Sequence, residues 1–276
     1  MGLVLDWLLR SRTTGGAICA FGLGTQVYPE VTGYAIPTLI AYGERDAAFL
    51  AAEALLRLQQ PDGSFRGIDG AKRTFDTAAC VEGLIAADKL SISTGEDENY
   101  SDKFRAAAWR ALDWLKTMRL IDGRLRISPE TDETQLYSIR ASAIMGDKLA
   151  LRAWTNFEIP SYYRTHYLMY AAEGFLLAGR KAQAERLMGV AEPRIRPDGL
   201  LAFDVRDGVG SSSDICATAQ MGILYAKLGH IENAAGMLHA IEPWIGNDGG
   251  VPVMAGAGGA YAWAAKFVLD LAKAVG

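Results

Sequence analysis

Residues 61–90 read PDGSFRGIDGAKRTFDTAACVEGLIAADKL and contain the unit from which the whole chain is built. The unit consists of an Asp-Gly turn, a short extended piece and a nearly apolar helical stretch. Glycine after aspartate suits a turn that needs a positive φ, so Gly63 predicts a helix end followed by a tight reversal. The same turn recurs in IDGRL (121–125), PDGLL (197–201) and NDGGV (247–251). A repeated supersecondary unit is therefore the first prediction.

One class of predicted helix is apolar on nearly all sides, with polar residues at its start. A helix of this kind is buried, and we call these six the inner helices. Small residues such as Ala78, Ala79, Ala217 and Ala264 would let neighbouring helices approach closely. The predicted inner helices are 27–43, 74–90, 132–146, 163–179, 211–229 and 260–274.

The other class is amphipathic and forms the outer helices. In 102–118, Phe104, Ala108 and Leu115 recur at helical spacing, while charged residues occupy the remaining faces. The other predicted outer helices are 3–12, 46–59, 147–155, which is short, 181–192 and 231–242. The N-terminal helix supplies the sixth partner and closes the ring.

This alternation predicts an all-α protein, an α/α toroid of about six helical hairpins around a central cavity. No Ser- or Pro-rich linker divides the sequence, so residues 1–276 are expected to form one domain. No pattern indicates a β-sheet.

Composition excludes several functional classes. The net charge of the 276 residues is −4, without the basic stripe of a nucleic-acid-binding surface. Cys19, Cys80 and Cys216 are scattered, which fits a reducing compartment. The N-terminus, MGLVLDWLLRSR, is amphipathic and unlike a signal peptide, and no apolar run is long enough to span a membrane. We therefore expect a cytoplasmic protein with neither nucleic acid nor membrane as partner.

The polar starts of the inner helices are the candidate site, because parallel inner helices would bring these ends to one mouth of the cavity. The predicted catalytic residues are His166, Tyr137, Tyr167, Asp76 and Asp214. The predicted substrate-binding residues are Glu30, Tyr34, Arg140, Arg164, Gln220, Trp263 and Lys266.

Several of these residues also have a purely structural interpretation. Asp76 and Asp214 stand where an aspartate caps backbone N–H groups and complements the helix dipole. Glu30 follows Pro29 in a first turn, where both residue types are favoured. Lys266 lies four residues before Asp270, at the spacing of an ion pair. Each role stays open at this point.

His166 is the only histidine on an inner helix, although a single histidine on an apolar helix is also often a core residue. With Tyr137 or Tyr167 it would serve as acid and base, while Arg140 and Arg164 would neutralise a sugar carboxylate. Trp263 would stack on the sugar ring. Hydrolysis by two carboxylates, for instance Asp76 and Asp214, is a close variant.

Glu82 and Glu173 each precede a glycine in the middle of an inner helix. We expect them to hydrogen-bond between neighbouring helices.

The order of motifs resembles the squalene-cyclase/prenyltransferase-like helical toroid proteins of bacterial surface-polysaccharide gene clusters. The resemblance covers nearly the whole chain and implies an α/α toroid with a link to polysaccharide metabolism. This chain has Thr218 and Tyr261-Ala262 where those proteins often carry Asn and Pro-Asn. The matching motifs are YPEVTGYAIPTL, DGSF, FDTAACVEGLIAA, THYLMYAAEGFLLAG, TAQMGILYAKLG, GGV and YAWAAKFVLDLA.

The resemblance does not extend to isoprenoid chemistry. Asp214 and Cys216 are spaced like two zinc ligands of prenyltransferase β subunits, but GAYAWAAK lacks the third ligand, a histidine. Class II terpene cyclases need a cluster of acids, and FDTAA presents Asp76 alone. We therefore expect no metal and no cofactor.

Three functional hypotheses remain. The leading one is a carbohydrate-active enzyme, of lyase, epimerase or glycoside hydrolase type, acting on a polysaccharide or glycan intermediate. The second is an isoprenoid-binding or terpenoid-cyclase-like toroid. The third is a non-catalytic scaffold or glycan-binding subunit, for which His166→Ala would leave function intact.

Overall fold

The computed structural model describes residues 1–22, 24, 26–94, 98–155, 158, 163–204 and 212–276. The chain divides into two compact units. The first unit is Ser11–Ala153, and the second combines Met1–Arg10 with Trp154–Gly276.

The first unit contains six helices among the described residues. They are α2 (Pro29–Ala41), α3 (Arg45–Leu58), α4 (Thr74–Thr94), α5 (Glu98–Thr117), α6 (Ser138–Ile144) and α7 (Lys148–Ala153). The inner helices α2, α4 and α6 pack side by side in that order, and each contacts the outer helix that follows it.

The second unit is built in the same way. Its elements are α1 (Gly2–Arg10), α8 (Thr165–Leu177), α9 (Lys181–Ala191), β1 (Leu201–Ala202), β2 (Ser213–Asp214), α10 (Ile215–Lys227), α11 (Ile231–Ile241) and α12 (Ala262–Val275). The inner helices α8, α10 and α12 pack in order, and α1 packs on α12. The N-terminal helix therefore supplies the partner of the last inner helix, as the sequence predicts.

All six inner and six outer helices predicted from the sequence are present, with two differences. Residues 132–137 precede the third inner helix instead of opening it, because Arg126 and Thr134 form a β-bridge across the preceding turn. A two-strand ladder, β1 with β2, also forms where no sheet is predicted. It arises because the extended piece after the third Asp-Gly turn pairs with the residues just before α10. Ser211, the predicted start of that helix, lies outside the described residues.

The Asp-Gly turns adopt the predicted backbone conformation. Gly63, Gly123, Gly199 and Gly249 have φ values between +80° and +91°. A side chain at any of these four positions would be strained, since L-residues rarely adopt this region.

Threonine hydroxyls join three inner helices to the loops before them. Thr32 accepts a hydrogen bond from the Ile18 N–H at 3.0 Å. Thr77 accepts one from Phe65 at 3.1 Å, and Thr218 accepts one from Leu201 at 2.9 Å. Each threonine is the fourth residue of its helix, so these bonds set a common start register for α2, α4 and α10.

Two glycines let α2 and α4 cross in close contact. A Cβ atom at Gly33 would lie 2.6 Å from the carbonyl oxygen of Ala79, and one at Gly83 would collide with the carbonyl of Gly33. Backbones can approach this closely only where side chains are missing. The crossing brings the first turns of the two helices together.

Among the described residues, no helix combines the length and apolarity needed to cross a bilayer.

Candidate functional site

Glu30 and Asp76 form a buried carboxyl pair in the first unit. Glu30 is the second residue of α2 and Asp76 the third of α4, so each lies at the helix start that the Gly33–Gly83 crossing brings close. The two side chains are hydrogen-bonded to one another and are only 8% and 2% exposed. The Tyr28 hydroxyl donates to Asp76 Oδ2 over 3.5 Å.

The pKa of each carboxyl group in the pair lies above its ordinary value. Burial is the main cause that raises the pKa of each carboxyl group, because a buried negative charge loses its hydration. The negative charge of Glu30 raises the pKa of Asp76 further, whereas Arg140 and Arg73 oppose the rise at Glu30. The pKa of Asp76 is therefore raised more strongly than that of Glu30. Two titrating groups this close behave as one coupled acid–base unit.

A tight turn before α4 lies against Asp76. A Cβ atom at Gly67 would stand 2.6 Å from Asp76 Oδ2, so glycine leaves the space that this carboxyl oxygen occupies. Arg73 ends the turn in an ion pair with Asp69, and its charge acts on Asp76. The carboxyl pair is thus bordered by a cation that another carboxylate already engages.

Arg140, predicted to bind a substrate carboxylate, is 2% exposed and forms an ion pair with Glu82 at 2.5 Å between Nη2 and Oε2. Its guanidinium lies 6.0 Å from the Phe75 ring centre, and Phe75 meets Tyr137 edge-on at 5.3 Å. Tyr34 is buried within α2. The predicted carboxylate-binding role of Arg140 stays a prediction, and Glu82 would compete for it.

The second unit holds a separate group of polar residues around His166. His166 Nδ1 lies 2.7 Å from Gln220 Oε1. Because the amide carbonyl only accepts, Nδ1 carries the hydrogen and Nε2 keeps a lone pair. Burial lowers the pKa of His166 to about 4, and the charges of Arg164 and Lys266 also lower it. The imidazole is therefore neutral at pH 7 and can accept a proton or a hydrogen bond.

Asp214 caps α10 and titrates near neutral pH. Its Oδ1 accepts the Ala217 N–H at 2.8 Å, which confirms the predicted cap. Burial raises the pKa of Asp214 to about 7, against the opposing effects of the Ala217 N–H and the Arg164 charge. A carboxyl group poised near the working pH suits general acid–base chemistry.

The other predicted residues of the second unit surround this group. The exposed Arg164 lies over the Phe203 ring at 4.8 Å and the Tyr167 ring at 5.8 Å. Lys266 pairs with Asp270 at 2.8 Å, which confirms that predicted ion pair. The half-buried Trp263 hydrogen-bonds to Cys216.

Glu82 and Glu173 hydrogen-bond between helices, as expected. Glu82 contacts Arg140 from α4 to α6, and Glu173 contacts Lys227 from α8 to α10 at 3.5 Å. No group of three or more His, Cys, Asp and Glu residues that could hold a metal ion occurs in the described part of the chain.

Sequence reasoning selected both acids of the carboxyl pair but missed that they touch. It also missed Arg73 and Gly67 as their neighbours, whereas Tyr28 was expected at the same helix starts. The one available signal was the pair of glycines in VTGYA and VEGLI, which permits the close crossing.

No protein-family model matches the sequence, and no curated protein matches it. Solved structures match it along almost its full length. An α-amylase from Clostridium perfringens has a TM-score of 0.74 at 11% identity, over 98% of this chain and 96% of the other. The type II terpene cyclase MstE from Scytonema has a TM-score of 0.64 at 14% identity, over 99% and 96%. A glycosidase variant in complex with glucose has a TM-score of 0.54 at 14% identity, over 99% and 96%.

The fold is an α/α toroid. The expected likeness to cyclase-type toroids is thereby confirmed at the level of the fold, and at these identities the toroid likeness shows the fold alone. That all the candidate residues line one mouth of the toroid stays a prediction.

Proposed function

We propose that this protein is a carbohydrate-active enzyme that moves protons on a saccharide substrate with the Glu30–Asp76 pair. The observation that carries the proposal is the direct hydrogen bond between two buried carboxyl groups at adjoining helix starts. An α-amylase and a glucose-bound glycosidase of the same fold support a saccharide substrate.

The pair is suited to simultaneous proton donation and acceptance. The protonated Asp76 gives a proton to a departing sugar oxygen while the Glu30 carboxylate takes one from the carbon beside a sugar carboxyl group. The C–O bond breaks, a C=C bond forms, and the pair ends with the proton count at which it began. Epimerisation would require a proton to be taken from one face of a carbon and another to be given to the opposite face, with the sugar between the two carboxyl groups. Arg73 lies close enough to offset negative charge that develops during the reaction.

Hydrolysis is less well served by this pair alone. Retaining enzymes place their two carboxyl groups about 5–5.5 Å apart, and inverting enzymes about 6.5–9.5 Å apart, to make room for the sugar or a water molecule. Directly hydrogen-bonded carboxyl groups leave no such room. We therefore favour elimination over epimerisation or hydrolysis by Glu30 and Asp76.

The test is turnover of a panel of uronate-containing and neutral oligosaccharides in D₂O. We expect deuterium incorporation at carbon, or an unsaturated uronate product detected by its ultraviolet absorbance. Glu30→Gln and Asp76→Asn should each lower the rate by roughly 10²–10⁴-fold, the usual contribution of a general acid or base.

The exposed Asp46 provides a matched control, because Asp46→Asn makes the same chemical change on an outer helix. Loss of activity in all three variants would contradict the assignment. So would wild-type rates in Glu30→Gln and Asp76→Asn, or no turnover and no exchange by the native protein on any saccharide.

One observation favours the terpenoid alternative. The sequence presented Asp76 as a single acid, whereas the structure pairs it with Glu30, and a buried protonated carboxyl group is the type of acid that protonates an alkene. The terpene cyclase of the same fold points the same way. Cyclisation of squalene by the native protein, with no action on saccharides, would establish this second function instead.

A further inference from the structure

At the start of α10, two buried polar side-chain atoms have no hydrogen-bond partner within the described residues. They are Asp214 Oδ2 and Gln220 Nε2, on side chains that belong to residues only 1% and 3% exposed. An unpaired buried polar atom is destabilising because it has lost its hydration, so native proteins pair nearly all such atoms with protein, water or ligand.

Each of these side chains is fixed by its other polar atom. Asp214 Oδ1 accepts the Ala217 N–H at 2.8 Å, and Gln220 Oε1 receives the His166 Nδ1–H at 2.7 Å. Neither side chain can therefore rotate to pair its remaining atom without losing an existing bond. Asp214 directly precedes α10 and Gln220 lies in the N-terminal half of that helix, and Arg164 is close enough for its charge to shift the pKa values of Asp214 and His166.

The unpaired atoms define the chemistry of what they bind. Asp214 Oδ2 accepts when ionised, and Gln220 Nε2 donates. A hydroxyl group both donates and accepts, so it satisfies either atom, and it would do so equally well if the Gln220 amide were turned over. A carboxylate would face another acceptor at Asp214, and an ammonium group would face a donor at Gln220.

The two neighbouring cations are already engaged. The Arg164 guanidinium stacks on Phe203 at 4.8 Å, and Lys266 pairs with Asp270 at 2.8 Å. The two unpaired atoms thus belong to an uncharged amide, that of Gln220, and to a carboxyl group, that of Asp214. This combination favours an uncharged ligand.

We infer that Asp214 and Gln220, with His166 holding Gln220 in place, form a subsite that binds hydroxyl groups of a neutral sugar residue. This inference rests on the proposed carbohydrate function and adds the part of the saccharide that is recognised. It assigns Asp214 and Gln220 to substrate recognition, apart from the proton transfers given to Glu30 and Asp76.

The test is NMR titration of the intact protein with maltotriose, and separately with glucuronate. We expect maltotriose to shift the side-chain amide signals of Gln220 in a saturable way. Gln220→Leu should weaken maltotriose binding about tenfold or more, since the amide of the wild-type protein contributes a hydrogen bond from a buried site.

Gln183→Leu is the matched control, because Gln183 lies on the outer helix α9 and should leave the affinity for maltotriose unchanged. The Gln220 amide titration needs no variant, so it decides the matter even if Gln220→Leu fails to fold. Shifts caused by glucuronate and not by maltotriose would overturn the inference in favour of an anion site at Arg164. No shift with either compound would overturn it in favour of ordered water.

The two proposals fail separately. Maltotriose binding that depends on Gln220, in a protein whose turnover is unaffected by Glu30→Gln, would leave the subsite standing and remove the proposed catalysis.

Discussion

At the scale of single residues, the pKa values of Asp214 and His166 are shifted in opposite directions for the same physical reason. Burial disfavours the charged form of each, so it raises the pKa of the acid to about 7 and lowers that of the base to about 4. At mildly acidic pH, a larger fraction of each side chain is consequently uncharged than its ordinary pKa would give. Their effects on stability between pH 4 and pH 7 oppose each other.

Asp214 should make the protein less stable as the pH rises. Between its ordinary pKa of 3.8 and about 7, the folded state binds the Asp214 proton and the unfolded state does not. The stability that this proton contributes is complete below the lower pKa and lost above the upper one, a difference of about 4 kcal/mol. Urea unfolding at several pH values should show wild-type stability falling relative to Asp214→Asn, which keeps a capping side chain. Parallel pH profiles would contradict the assignment.

His166 should titrate well below an ordinary histidine. Between its ordinary pKa of 6.5 and about 4, only the unfolded state binds the His166 proton, so this group lowers stability as the pH falls. The ring signals of His166 in NMR spectra should move near pH 4. Gln220→Leu should lower the pKa of His166 further, because the hydrogen bond to Gln220 raises it. A midpoint near 6.5 in the native protein would show that the ring is hydrated.

At the scale of elements, the crossing of α2 and α4 positions the carboxyl pair. It depends on Gly33 and Gly83, whose missing side chains leave room for backbone against backbone. Longer residues would push the helices apart and separate Glu30 from Asp76.

Gly83→Ala should destabilise the protein by about 1–3 kcal/mol, since the added methyl group would collide with the carbonyl of Gly33. Gly236→Ala is the matched control in the outer helix α11, where a Cβ atom meets nothing within 4 Å. It should stabilise the protein by about 0.5–1 kcal/mol, the helix propensity difference. Urea midpoints compare the two variants, and equal stability of both would show that the crossing tolerates a side chain.

Threonine at the fourth helical position has a structural role. Thr218 stands where the similar toroid proteins of surface-polysaccharide gene clusters often carry Asn. Its hydroxyl accepts the Leu201 N–H and donates to the Asp214 carbonyl at 2.5 Å, so it is occupied in joining loop to helix.

At the scale of the whole molecule, the helices and turns were predictable because they depend on local periodicity and on glycine at positive φ. The contact between Glu30 and Asp76 was not, because residues 46 positions apart meet only through tertiary packing. The sequence also failed to predict the short ladder of β1 with β2 and the late start of α6. Both arise because extended residues pair with one another, and such residues carry no periodic signal.

The prediction of a single domain can be tested by calorimetry. The even composition of the sequence predicts one cooperative transition, with calorimetric and van't Hoff enthalpies equal, although contacts group the chain into two units. Two separate transitions, assigned by isolating Ser11–Ala153, would show that the units are independent domains.

At the start of the inner helices, the residues that hold the helix in place differ from the residues that carry reactive side chains. The second residue of the helix is Glu30 in α2, His166 in α8 and Trp263 in α12. The same helical position thus carries an acid, a base or an aromatic ring. The hydroxyl groups that hydrogen-bond α2, α8 and α10 to adjoining backbone lie at other helical positions, in Thr32, Thr165 and Thr218. A substitution at the second position of an inner helix would therefore change the chemistry of the site without removing the hydrogen bonds that hold the helix to its neighbouring backbone.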